Sequence, residues 1–175
     1  MRRPVLVGTA LFCTAMAVLL FLRLLPLSAG TVRLPGPDLA LCLALAWVLR
    51  RPDQLAAPVI ALAFVVQDII LLHPLGLWSA IVLAGTEAAR LREARWRDAP
   101  FMVEWLRIAI LMGMMMLAYR FIQVLFMMPV PALGQVILHF IATVAAYPAV
   151  VLAARILFGL RRASLAEAEQ MRFAR

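Results

Sequence analysis

The stretch from Arg50 to Trp78 constrains the fold of this chain more than any other. It opens with a basic turn, Arg50-Arg51-Pro52-Asp53-Gln54, and continues as an apolar run of helix length. An acid, Asp68, lies near the far end beside Gln67, and the stretch closes on His73-Pro74-Leu75-Gly76-Leu77-Trp78. Two hydrophobic segments thus meet at a turn without formal charge, after a turn that carries two arginines. That asymmetry is expected of a membrane hairpin with defined sidedness. A carboxylate inside hydrocarbon is expensive, so Asp68 is expected to face the interior of a helical bundle and find a donor there.

Similar runs recur along the chain. Strong ones lie at about 4–24, 55–72, 101–127 and 132–158, and weaker ones at 38–49 and 75–89. A hydrocarbon core of roughly 30 Å asks for about 20 helical residues. The run at 38–49 is short by that measure, and Glu87 interrupts the run at 75–89. The arginines decide the count. With six spans and the N-terminus inside, the cytoplasmic segments hold Arg2, Arg3, Arg50, Arg51, Arg90, Arg92, Arg95, Arg97, Arg161, Arg162, Arg172 and Arg175. The external turns keep only Arg23 and Arg33. Twelve against two is a positive-inside bias.

The expected fold class is therefore an all-α membrane protein: one domain of six transmembrane helices over 1–160, a short cytoplasmic tail at 161–175, and both termini cytoplasmic. Breakers agree with the turns: Pro26, Pro35, Gly36 and Pro37, then Pro52, Pro74, Pro100, and Pro129 with Pro131. Pro148 lies within the last run and is expected to kink it. Ser164-Leu165-Ala166-Glu167 reads as a capping box opening a surface helix in the tail. The run from Pro4 to Leu22 follows Arg2-Arg3 like a signal peptide. It is long for one and lacks an Ala-x-Ala signature, so it reads as an uncleaved first span.

Composition excludes other classes. Hydrophobic residues make up 66% of the chain, a fraction that a soluble domain could not hide. The net charge is +8, and all 17 basic residues are arginine. In a soluble protein that balance would point to nucleic acid. Here the arginines end apolar runs, where they fix topology and meet anionic headgroups, so the expected partner is the lipid bilayer and not nucleic acid. Cys13 and Cys42 both lie inside apolar runs and read as small buried hydrophobes, with no disulfide or metal site. No Ser-x-x-Lys, Gly-x-Ser-x-Gly, His-Glu-x-x-His or Gly-rich phosphate loop occurs, and paired intramembrane aspartates are absent. No catalytic, cofactor or metal residues are expected.

Polar groups inside the spans are few. Donors at a depth similar to Asp68 are Arg23, Arg120, Gln123, Gln135 and His139; Arg120, the deepest basic group, is the expected partner. Asp68 reads as a pin that fixes helix contacts, ahead of a proton or ligand site. Glu104 and Arg107 share a helix face and are expected to pair near the cytoplasmic interface. His139 is expected to hydrogen-bond a neighbouring helix. Met112, Met114, Met115 and Met116 read as adaptable side chains in the core or against a partner helix.

With Arg50-Arg51-Pro52-Asp53-Gln54, then Gln67-Asp68-Ile69-Ile70 and Pro74-Leu75-Gly76-Leu77, the chain resembles the bacterial rod-shape-determining MreD family across essentially its whole length. It departs from the family pattern at Ala63-Phe64-Val65-Val66, where a glycine would be expected upstream of the acid. The resemblance implies a non-enzymatic scaffold subunit of the cell-elongation machinery in the bacterial inner membrane. Its implied partners are MreC and, with it, the peptidoglycan polymerase RodA and its class B penicillin-binding transpeptidase. The residues expected to carry structure or partner contact are Asp68, Gln67, Arg120, Pro74, Gly76, Arg50, Arg51 and Pro52. The family's fold is similar to the substrate-binding subunits of energy-coupling-factor vitamin transporters, and the alternative function is a small-molecule-binding subunit of that kind. Such a subunit needs convergent polar or aromatic groups near the outer face. The external turns look poor in them: Trp47, Trp96 and Trp105 fall toward the inner side and only Trp78 toward the outer, which favours the scaffold.

Overall fold

The computed structural model describes residues 2–25, 36–96 and 100–160, and every regular element in them is helical. Six α-helices follow in chain order: α1 (Arg2–Leu24), α2 (Leu39–Arg50), α3 (Ala57–Ile70), α4 (Leu77–Trp96), α5 (Phe101–Leu125) and α6 (Leu133–Phe158), with a 3-10 turn, Pro52–Gln54, between α2 and α3. Arg33, Arg97, Pro26, Pro35 and the tail at 161–175 with its capping pattern lie outside the described residues.

The short second run is the centre of the molecule. Every residue of α2 from Ala40 to Arg50 is buried. Its 12 residues reach about 18 Å, less than a bilayer core. A helix that is apolar on all sides belongs in an interior, and Leu-Ala-Leu-Cys-Leu-Ala-Leu-Ala-Trp-Val-Leu has no polar face. α2 lies against α1, α4 and α6; α3 bridges α1 to α4, and α5 bridges α4 to α6. At Gly85 of α4 an added Cβ would run into the Met115 sulfur of α5, so a small residue sets that approach.

Helix ends explain the turns. Asp38 caps α2, its Oδ1 accepting from the Leu41 N–H at 3.1 Å. α3 ends with Leu72 in the left-handed region (φ 55°). There the His73 N–H reaches the Asp68 carbonyl at 2.9 Å and the Leu72 N–H the Ile69 carbonyl at 3.4 Å. This six-to-one, five-to-two pattern satisfies carbonyls that a helix end leaves over. α5 repeats it at Met127 (φ 51°), with Met128 bonding to Gln123 and Met127 to Val124. Pro74 and Pro129 each follow two residues later and prevent the helix from continuing.

Three helices, Val5–Leu24, Phe101–Leu125 and Leu133–Phe158, are long and apolar enough to cross a membrane. Their outer faces carry Leu6, Phe21, Leu117, Phe121, Ile156 and other exposed large hydrophobics. A water-soluble monomer rarely shows so continuous an apolar surface, whereas a bilayer covers it. Cys13 lies on the exposed side of α1, so of the two cysteines only Cys42 is buried as expected. Pro148 does not interrupt α6, which continues to Phe158.

Candidate functional site

Asp68 is completely buried at the α3–α4 turn, but its partner is not Arg120. Its Oδ2 accepts from the backbone N–H of Ser79 in the first turn of α4 at 3.1 Å. Its Oδ1 faces His73 Nδ1 at 3.4 Å, beyond good hydrogen-bond geometry. The carboxylate therefore tethers the start of α4 to the end of α3. Helix N-termini offer unsatisfied N–H donors and positive dipole potential, so an acid there needs no arginine. Between them Gly76 takes φ 80°, and its carbonyl accepts from Ser79 Oγ at 3.0 Å. The Pro74 carbonyl accepts from Leu77 N–H at 3.1 Å. Gln67 is buried beside Asp68, with its Nε2 making no hydrogen bond among the described residues. Arg120 instead donates to the Pro131 carbonyl at 2.7 Å, bracing the α5–α6 link.

At the opposite end of the bundle Arg50 is not a turn residue. It is the last residue of α2, buried, and its Nη1 lies 3.2 Å from Glu104 Oε1 of α5. Tyr147 Oη of α6 donates to the same oxygen at 2.9 Å. Glu104 is thus a core group joining three helices rather than an interfacial one. A buried ion pair survives when further hydrogen bonds satisfy its remaining lone pairs, and the phenol supplies one. Arg51 donates its N–H to the Trp47 carbonyl at 2.8 Å, and Pro52 begins the 3-10 turn, whose Gln54 carbonyl accepts from Thr9 Oγ1 of α1 at 3.0 Å. Arg90 Nη2 reaches the Leu55 carbonyl at 2.7 Å. Trp47 is sandwiched between Phe12 and Phe158, with ring centroids at 5.6 Å and 5.4 Å.

Pro148 acts through what it lacks. Without an N–H it leaves the Val144 carbonyl without its intrahelical donor, and Trp105 Nε1 of α5 fills that place at 2.9 Å. One turn earlier, Thr143 Oγ1 accepts from Asp38 N–H at 3.1 Å and donates to the His139 carbonyl at 2.7 Å. The weak point of α6 is therefore where α2 and α5 attach.

Above the start of α2 lies a cavity of about 230 Å3. Asp38, where α2 begins, meets α6 as deep as Thr143, ten residues into that helix, so the short helix leaves room that longer neighbours enclose. Among the described residues the lining comprises Arg23, Asp38, His73, Trp78, Met116, Tyr119, Arg120, Gln123, Pro131, Gln135, Val136 and His139. Arg23 Nη1 stands 3.9 Å from Asp38 Oδ1, an ionic contact without a hydrogen bond. His139 Nδ1 lies 2.7 Å from the Gly36 carbonyl. Trp78 and Tyr119 meet edge to face at 5.2 Å.

This gathering reverses the expectation that the predicted outer end is poor in convergent polar and aromatic groups. Its described lining comes from four helices and three links, and no local motif reveals such a set. Two signals were nonetheless present. Asp38 stands after Pro35-Gly36-Pro37 and before an apolar run, a helix-start pattern. Pro148 inside a helix vacates a carbonyl four residues earlier, which calls for a donor from outside. The methionine cluster divides by helix face: Met112, Met115 and Met116 are buried while Met114 is exposed. Comparison with protein-family models, curated proteins and solved structures gives no match.

Proposed function

We propose that the chain is a non-enzymatic scaffold of the MreD type in the bacterial inner membrane. In this reading it spans the bilayer six times with both termini cytoplasmic, and binds MreC together with RodA and its class B transpeptidase. The supporting observation is the α3–α4 hairpin. The residues that carry the resemblance, Gln67-Asp68 and Pro74-Leu75-Gly76, form one unit in which the acid is a helix tether. Arg50 is likewise engaged in joining helices. Meanwhile α5 presents Leu106, Ile110, Met114, Leu117 and Phe121 outward at helical spacing, an apolar face suited to lipid or a partner helix.

Affinity purification of the full chain from membranes containing MreC tests this reading: MreC should co-purify, and depletion should alter the width of a rod-shaped cell. Unchanged width and no MreC would contradict it. Reporter fusions after Arg95 and after Pro131 should read inside and outside respectively.

One observation favours a second reading, a small-molecule-binding subunit of the energy-coupling-factor type: the cavity with its aromatic pair and converging cations. Its volume of about 230 Å3 falls below the roughly 300–1,000 Å3 of sites for drug-sized ligands, which counts against a fully enclosed vitamin. Co-purification of a vitamin in place of MreC would reverse the order of the two readings.

A further inference from the structure

We propose that the cavity above α2 is a binding site for one small anionic group, a phosphate or phosphate-like head, held by Arg23 and Arg120. The site is argued from geometry and charge and stands independently of both functional readings.

The charges facing the cavity do not balance. Among the described residues two guanidiniums, those of Arg23 and Arg120, line it against one carboxylate, Asp38. That carboxylate is already engaged, because its Oδ1 accepts from Leu41 N–H while capping α2. The same oxygen is the one nearest Arg23, at 3.9 Å, so the pair is not closed by a hydrogen bond. At the opposite end the buried cation, Arg50, has a carboxylate at 3.2 Å. Surplus positive charge beside a low-dielectric interior is costly, and a bound anion removes that cost.

The donors are also oriented. Arg120 uses Nη1 on the Pro131 carbonyl at 2.7 Å, which fixes the guanidinium plane and leaves the rest of its five N–H donors for a guest. A carbonyl only accepts, so His139 Nδ1 donates to the Gly36 carbonyl at 2.7 Å and ties the link before α2 to α6 at the edge of the cavity. Forked guanidinium donors match the oxygens of a phosphate better than a point charge does. The Trp78–Tyr119 pair adds an apolar wall for whatever carries the anion. A cavity of about 230 Å3 admits a head group and not a large ligand.

Such a head could belong to an anionic lipid or to a free anion, and the test has an arm for each. The full chain is placed in phosphatidylcholine nanodiscs with and without phosphatidylglycerol and released for native mass spectrometry. In parallel, inorganic phosphate is titrated calorimetrically into lipid-free protein in neutral detergent. Binding in either arm should fall about tenfold or more in Arg23→Gln and in Arg120→Gln, as loss of a charge-assisted contact predicts, and stay unchanged in Arg155→Gln, an exposed arginine near the other end of α6. Retention of phosphatidylglycerol identifies the lipid source, and a phosphate isotherm identifies the free anion. Binding in neither arm, or equal loss in Arg155→Gln, overturns the proposal. Should a cavity variant fail to fold, the wild type decides: its thermal midpoint should rise with phosphatidylglycerol or phosphate beyond that in chloride of equal ionic strength, and no rise in either overturns the site.

Discussion

At the Arg50 end of the bundle a guanidinium, a carboxylate and a phenol close on one another at 3.2 Å and 2.9 Å. At the Asp38 end Arg23 stops 3.9 Å from its acid, and a cavity opens beside it. The residue types are alike; the difference is the length of α2. Its last turn reaches the neighbours that match it, whereas its first turn starts too deep to fill the space between α1, α4, α5 and α6. One end therefore uses polar groups to fix helix contacts, and the other leaves them facing a common space.

Substitutions should expose that difference. The largest loss is expected at the closed end. Glu104→Leu strands Arg50 in the interior and should cost about 3–5 kcal/mol in unfolding experiments, whereas Glu104→Gln, which keeps an acceptor for Tyr147, should cost less. Next comes Trp105→Phe, which leaves the Val144 carbonyl without a donor and should cost about 1–3 kcal/mol. Pro148→Ala returns an N–H to that carbonyl, so Trp105→Phe should be milder in that background; an undiminished loss would break the link between the proline and the indole.

A smaller effect is expected at the hairpin, where Asp68→Leu removes the tether to Ser79 and should cost about 0.5–2 kcal/mol, with Asp68→Asn better tolerated. Arg120 contacts Pro131 rather than Asp68, so Asp68→Leu and Arg120→Leu should add within about 0.5 kcal/mol. Strong coupling would restore the arginine as partner. The smallest effect belongs to the cavity: Arg23→Gln should change stability by less than about 1 kcal/mol, since its ion pair is half-exposed and open.

How much of this could be read from the chain differs by feature. Hydropathy and breakers located six helices, because apolar runs and prolines act locally. The burial of Asp68 inside the bundle agrees with the expectation drawn from the cost of a charge in apolar surroundings. Its partner did not, because a backbone N–H eleven residues away carries no side-chain signature, whereas Arg120 advertises its charge. The run at 38–49 looked weak because span length was the yardstick; its lack of any polar face was the better guide to its place at the centre. Spacing puts Glu104 and Arg107 on one face of α5, but it gives no sign that Arg50 and Tyr147 meet the same carboxylate from two other helices. The cavity draws on residues as far apart as Arg23 and His139, so only the assembled bundle reveals it.

Paired double-mutant cycles on Arg50–Glu104 and Arg23–Asp38, read as unfolding free energies in the same detergent, test the contrast most directly. The expected coupling is about 2 kcal/mol or more for the first pair and less than about 0.5 kcal/mol for the second. Equal couplings, or a stronger one at Arg23–Asp38, would contradict it.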